Sequence, residues 1–221
     1  MKTFHFWVEG IADQKLLADL LKTWFGIEFH GSLKQYQTWE GRDKAGDFIT
    51  LLFSLGGVEG IMPDKKKNDF DQNTSQGILN IAILDADDDF KARQSEIEGY
   101  QREMSFEFFL LPNDQGPGDL ETLLEGIINP ANQPIFDCWN AYEVCLQAQT
   151  NLQSSDGIFT LPARKTKIYA YLEALFGQTK KQKEFIKEVN RNYTLPEHWN
   201  LDSEALTPLK QFLEKYFNHN Q

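Results

Sequence analysis

Apolar and polar positions alternate in blocks from the N-terminus to about Ile128. Phe4-His5-Phe6-Trp7-Val8 is a β-prone run that stops at Glu9-Gly10. Behind it, Leu16-Leu17, Leu20-Leu21 and Trp24 recur at helical spacing, and Gly26 supplies a stop. The run Phe48 to Leu55 reads as a second strand closed by Gly56-Gly57. From Val58 to Gln76 the chain is polar, with Pro63 and Lys65-Lys66-Lys67, and this composition predicts a long surface loop. Ile78 to Leu84 is almost continuously apolar, as in a strand covered on both faces, and it ends abruptly at Asp85. A polar helix from about Phe90 to Glu103, capped by Asp88 or Asp89, leads to a strand from Phe106 to Leu111. After the turn-rich segment Pro112 to Gly118, apolar positions recur at helical spacing from Leu120 to Ile128.

Helical patterns also cover Asp137 to Gln149, Lys167 to Phe176 and Glu204 to Phe217, with no further strand signal. The expected fold class is therefore α/β: a mostly parallel sheet flanked by helices, followed by a C-terminal helical annex. The division falls at residues 1–128 for the core and 129–221 for the extension, packed on that core.

A chain of 221 residues with 41% hydrophobic content can bury a full core. No apolar run is long enough for a membrane span and the N-terminus lacks a secretory signal pattern, so a cytoplasmic protein without a membrane partner is expected. Cys138 and Cys145 lie seven residues apart in a helical pattern and are expected to pack in the core. The formal net charge of −11 argues against a protein that simply coats nucleic acid. The charge is unevenly spread, however. Asp85 to Glu125 holds twelve acidic and three basic residues, whereas Arg164 to Arg191 holds eight basic and three acidic ones. An acidic centre with a basic flank is the pattern this suggests. No Gly-rich phosphate loop of the Gly-x-x-x-x-Gly-Lys-Ser/Thr type occurs, so nucleotide hydrolysis would require a separate ATPase subunit.

In an open parallel sheet, ligands bind beyond the carboxyl ends of the strands. Glu9 lies at the end of the first strand, Asp85 and Asp87 at the end of the most apolar one, and Asp119 and Glu121 beyond the strand ending at Leu111. Asp13 falls in the first turn of the helix after Glu9, within reach of the same crevice. Two ionised carboxylates 4 Å apart repel by about 4 kcal/mol at an effective dielectric of 20, so such a group must be spread out, protonated or neutralised by a cation. Oxygen-only ligands favour Mg2+, Mn2+ or Ca2+ over zinc. Asp119 and Asp13 also suit a helix start, as a cap and as a favourable charge. Glu121 also suits a solvated first turn.

Val8-Glu9-Gly10-x-x-Asp13-x-x-Leu16-Leu17 followed by Ile83-Leu84-Asp85-Ala86-Asp87 resembles the two signatures of the Toprim domain, shared by primases, topoisomerases, small-RNA-maturing nucleases and OLD-type nucleases. The stretch Leu111-Pro112-Asn113-Asp114 through Gly118-Asp119-Leu120-Glu121 is similar to an uncharacterised bacterial branch near the OLD type. The resemblance covers roughly residues 4 to 128. It implies a Toprim-like fold in which Glu9 is a general acid or base or a metal ligand, Asp85 and Asp87 hold metal, and Asp13, Asp119 and Glu121 are further ligands. One or two Mg2+ or Mn2+ ions would serve phosphodiester cleavage of DNA or RNA. OLD-type enzymes also use a lysine near the scissile phosphate, for which Lys165 and Lys167 compete. The expected activity is thus a metal-dependent nuclease, acting with a separate ATPase in phage defence or DNA repair. The alternative is a non-catalytic Toprim-like module that binds nucleic acid or a protein.

Overall fold

A computed structural model of the protein describes residues 2–30, 38–153 and 157–217. Among the described residues, six strands, β1 (Lys2–Val8), β2 (Glu28–Phe29), β3 (Trp39–Arg42), β4 (Phe48–Ser54), β5 (Leu79–Asp85) and β6 (Glu107–Leu111), form one sheet in the order β2-β3-β4-β1-β5-β6. β4, β1, β5 and β6 run parallel to one another, while β2 and β3 are antiparallel additions on the β4 edge. The protein is thus a mixed α/β fold with a central sheet. β2 and β3 left no usable pattern in the sequence because they span only two and four residues.

Alternation along each strand sends side chains to two separate cores. Phe4, Phe6 and Val8 of β1, Ile81 and Ile83 of β5, and Phe109 and Leu111 of β6 face one side. There they meet α1 (Ile11–Phe25), α4 (Leu120–Gly126), α6 (Arg164–Phe176) and α8 (Thr207–Phe217). Trp7, Ala82, Leu84 and Leu110 face the other side, against α2 (Pro63–Ser75) and α3 (Phe90–Gln101). Covering on both faces explains why β5 reads as a continuous apolar run.

α2 occupies the segment that the sequence presents as a loop. Pro63 sits in its first turn, Lys66 and Lys67 pair with Asp69 and Asp71, and Phe70 alone is buried, stacked 4.9 Å from Trp7. One apolar anchor in thirteen residues leaves no 3.6-residue period to detect, and it is the tertiary contact of Phe70 that holds this helix to the sheet.

Beyond α4 come α5 (Gln133–Gln147), α6, α7 (Lys180–Ile186) and α8. Tyr171, Trp199, Phe212 and Phe217 from this part belong to the same hydrophobic cluster as β1. A short backbone bridge pins it further, with Asn129 N–H donating to His198 O and Asn200 N–H to Ile127 O. Cys138 and Cys145 are free and exposed on α5, contrary to the core packing expected of them. Of α5 only Phe136 is buried, so the seven-residue spacing of the cysteines follows a solvent face instead. Among the described residues no helix is long and apolar enough to cross a membrane.

Candidate functional site

The register of the three parallel strands aligns their carboxyl ends. Val8 pairs with Ile83 and Asp85 with Leu111, so Glu9, Asp85 and the loop after Leu111 emerge along one edge of the sheet. Glu9 is fixed from both sides. Its side-chain Oε1 accepts the Asp85 N–H at 2.9 Å, and its carbonyl accepts Gly57 N–H at 3.0 Å. Asp85 Oδ1 in turn accepts the Leu120 N–H, 2.9 Å away in the first turn of α4. Asp13 reaches back to the Gly10 N–H at 2.9 Å. Glu9 and Asp85 thus each meet a backbone donor of the next element, while Asp13 closes the start of its own helix.

Gly118 brings α4 close. Its N–H donates to Asp87 O at 2.7 Å, and at φ +141° a Cβ would stand 2.8 Å from Pro112 Cδ. Any larger residue would push Asp119 and Glu121 away from the strand ends. Asp119 caps α4, with Oδ1 accepting from Thr122 N at 2.8 Å and Thr122 Oγ1 at 2.6 Å. Replacing Asp119 by Ala is expected to cost about 1 kcal/mol through the lost cap, while Asp119→Ser retains most of it. Urea titration of the three proteins measures the difference, and an Asp119→Ala variant as stable as wild type would rule out a capping contribution.

The acids act on one another. Burial, then Asp13, Glu9, Asp119 and Glu121 in turn, pushes the Asp85 carboxyl up to about 9. Asp13 is raised to about 7 by burial and then by Glu9. Glu9 and Glu121 are raised as well, both chiefly by burial. Such groups titrate as a set. The structure therefore brings Glu9, Asp13, Asp85, Asp119 and Glu121 into one electrostatic group.

Asp87 belongs to the edge but turns outward. It is exposed, holds φ +53° and forms an ion pair with Arg93 of α3, which also pairs with Glu96 at 2.7 Å. Arg164 of α6 binds Thr122 Oγ1 at 2.6 Å and lies 3.4 Å from Asp119. Among the described residues, no three His, Cys, Asp or Glu side chains stand in an arrangement that holds a metal. The carboxylates are close enough to raise one another's pKa, yet each is directed to an amide or an arginine. All the donors are oxygens, the type that hard divalent cations take, but in this arrangement they are engaged with amides and arginines rather than converging on one point.

Sequence reasoning missed Arg93 and Arg164. Each sits in a charged helix whose contacts with Asp87 and Asp119 depend on how the helices pack. Of the two lysines, Lys165 pairs with Glu188 at 2.5 Å and acts electrostatically on Glu121, whereas Lys167 pairs with Glu125 at 2.7 Å and lies over the Phe136 ring. Lys165 is the one nearer the acids in charge terms. Glu188 raises its pKa, so it stays protonated and suits an electrostatic role rather than that of a base.

The chain matches, over residues 3–218, the family described as "Protein of unknown function (DUF3226)". It belongs to this family. The match spans both the sheet and the helical C-terminal part, so the two are features of one family unit. Among solved structures, the hypothetical protein PH0156 from Pyrococcus horikoshii OT3 is similar, with a TM-score of 0.53 at 13% identity. That likeness covers 97% of this chain and 95% of the other, and at this identity it speaks for the fold alone. No curated protein matches the chain.

The raised carboxyls set a pH dependence. Aspartate in the unfolded chain titrates near 3.9. Between that value and the folded values of about 7 and about 9, the folded state holds protons the unfolded state has lost. Stability of the chelator-treated protein is accordingly full below about pH 4 on this account and falls as pH rises through 7 and 9. Melting temperatures from pH 5 to 9 in the presence of EDTA are expected to decline, and a flat or rising profile would contradict the electrostatic grouping.

Proposed function

We propose that this protein is a divalent-metal-dependent phosphodiesterase of Toprim type acting on nucleic acid. The observation that carries this reading is Asp85, a carboxyl raised to about 9 by burial and four neighbouring acids at the carboxyl ends of three parallel strands. A site of this kind is stabilised by positive charge. Glu9 and Asp85, with Asp87 once released from Arg93, would hold Mg2+ or Mn2+, with Asp13, Asp119 and Glu121 as further ligands. When bound, such an ion supplies Lewis-acid stabilisation of a phosphoryl oxygen and a water of lowered pKa. Glu9, positioned by the Asp85 N–H and raised above the ordinary carboxyl range chiefly by burial, is suited to hold a proton beside the reacting group. Lys165 and Arg164 supply positive charge on the side of α6 where a phosphate would approach.

A second reading is a Toprim-like module that binds nucleic acid or a protein without cleaving. The placement of Arg93 on Asp87 and of Arg164 near Asp119 favours it, since the protein's own arginines then supply the neutralising charge. Incubating the purified chain with single- and double-stranded DNA and RNA in Mn2+ or Mg2+ separates the two. Cleavage that is lost in Asp85→Asn supports the first reading; nucleic-acid binding without cleavage by a metal-loaded protein supports the second. A separate ATPase subunit, in phage defence or DNA repair, is part of the proposal and is tested by repeating the assay with that partner.

A further inference from the structure

Away from the acids, a cavity of about 550 Å3 lies between α1 and the segment from α6 to Trp199. Its volume falls within the roughly 300–1,000 Å3 of small-ligand sites. Among the described residues, Lys15, Lys22 and Arg191 line it with Asp19; Lys15 pairs with Asp19 at 2.5 Å and Lys22 with Glu28 at 2.9 Å, which leaves Arg191 as the cation of the wall without a carboxylate.

Arg191 is only 3% exposed, stacks 5.1 Å over the Tyr169 ring and, among the described residues, has no carboxylate within ion-pair distance. Its Nε and Nη2 both donate to Ile186 O, at 3.3 and 3.2 Å, and its Nη1 donates to Tyr193 Oη at 3.2 Å. A guanidinium has five N–H groups, so two remain. A buried cation held only by neutral acceptors is costly, and an anion would complete it. The Trp199 indole N–H, of a residue that lines this cavity and a neighbouring one, is also buried without a partner among the described residues. Asp19 is engaged elsewhere, with Oδ1 on Lys15 at 2.5 Å and Oδ2 accepting the Tyr193 N–H at 2.8 Å, and among the described residues neither donor is hydrogen-bonded to it. Flat apolar surface is supplied by Trp199, Phe176 and, half-exposed at 50%, Phe185.

We propose that this cavity binds a phosphate monoester carried on a flat ring, the phosphate on Arg191 and the ring against Phe176 and Phe185. A phosphate monoester carries a charge of about −1.5 to −2 near neutrality, which suits the unpaired Arg191 guanidinium, and its oxygens are acceptors for the two N–H groups left over there. The site shares no residue with the acidic edge and stands independently of the phosphodiesterase reading.

The test is calorimetric titration of the full chain, in EDTA, with adenosine monophosphate, adenosine and inorganic phosphate. The monophosphate is expected to bind more tightly than either fragment. Arg191→Gln is expected to weaken the monophosphate by at least about tenfold while leaving adenosine unchanged. Phe185→Ala, on the rim where folding is not at stake, should weaken the monophosphate and adenosine alike. Asp85→Asn should leave all three unchanged. Absence of monophosphate binding to the wild type at millimolar concentration overturns the proposal, as does binding that survives Phe185→Ala intact or disappears in Asp85→Asn, the last because it would place the ligand at the acidic edge.

Discussion

Replacing Asp85 and Asp87 together by asparagine is expected to abolish Mn2+ and Mg2+ binding and, at the same time, to raise the melting temperature of the metal-free protein at pH 8 to 9. The two effects have one cause. At those pH values Asp85 is forced to keep a proton, or to ionise beside Asp13, Glu9, Asp119 and Glu121, and either choice is a cost that a neutral amide avoids. The fold has little reason to suffer, since an asparagine Oδ1 at position 85 can still accept the Leu120 N–H that now lies 2.9 Å from Asp85. Arg93, released from Asp87, keeps its partner Glu96. For a chain of this size each 1 kcal/mol of relief is worth about 2–4 °C. Calorimetric titration of wild type and variant, alongside thermal melts in EDTA, reads both effects. A variant that binds Mn2+ as tightly as wild type would place the metal elsewhere. A folded wild type that binds none would leave the acids as a charge group without a metal and turn the functional reading to the non-cleaving module.

Truncating Phe217 to alanine should produce the largest loss of stability, about 3–5 kcal/mol, the range for a large aromatic removed from a packed core. The ring is 3% exposed and touches four others: Phe25 at 4.8 Å, Phe4 at 5.0 Å, Phe48 at 5.5 Å and Phe6 at 6.2 Å between centroids. These partners come from β1, β4 and α1, so a single side chain near the C-terminus joins α8 to the centre of the sheet. Phe217→Leu, which keeps most of the volume, should lose much less. Differential scanning calorimetry of both variants is expected to give one transition, shifted down by on the order of 10 °C for alanine. If residues 129–221 formed an independent unit, Phe217→Ala would instead split the melt into two transitions.

The pairing of Phe217 with β1 also marks where sequence and tertiary structure part. The sequence alone established the strands β1, β4, β5 and β6 and placed Glu9 and Asp85 at their ends, because burial on two faces writes a continuous apolar run and an abrupt acid into consecutive residues. It likewise established α1, α4 and α8, whose buried faces repeat at helical spacing. Asp119 read equally well as a ligand or a cap, and the structure displays the cap while keeping the carboxyl inside the charge group. α2 stayed hidden because its stability rests on one residue, Phe70, meeting a tryptophan more than sixty positions earlier. Arg93 and Arg164 stayed hidden for a related reason: a charged residue on a helix looks solvated until the fold sets a carboxylate opposite it. The cavity around Arg191 is the extreme case, assembled from α1 and segments more than 150 residues later, with its donors left over only once all the neighbours are in place. What the sequence by itself determined is whatever depends on neighbours within a turn or a strand. Which distant charges meet, and which donors remain without acceptors, was decided by packing alone, because the energy of a charge or a hydrogen bond depends on its surroundings in space and leaves no period along the chain.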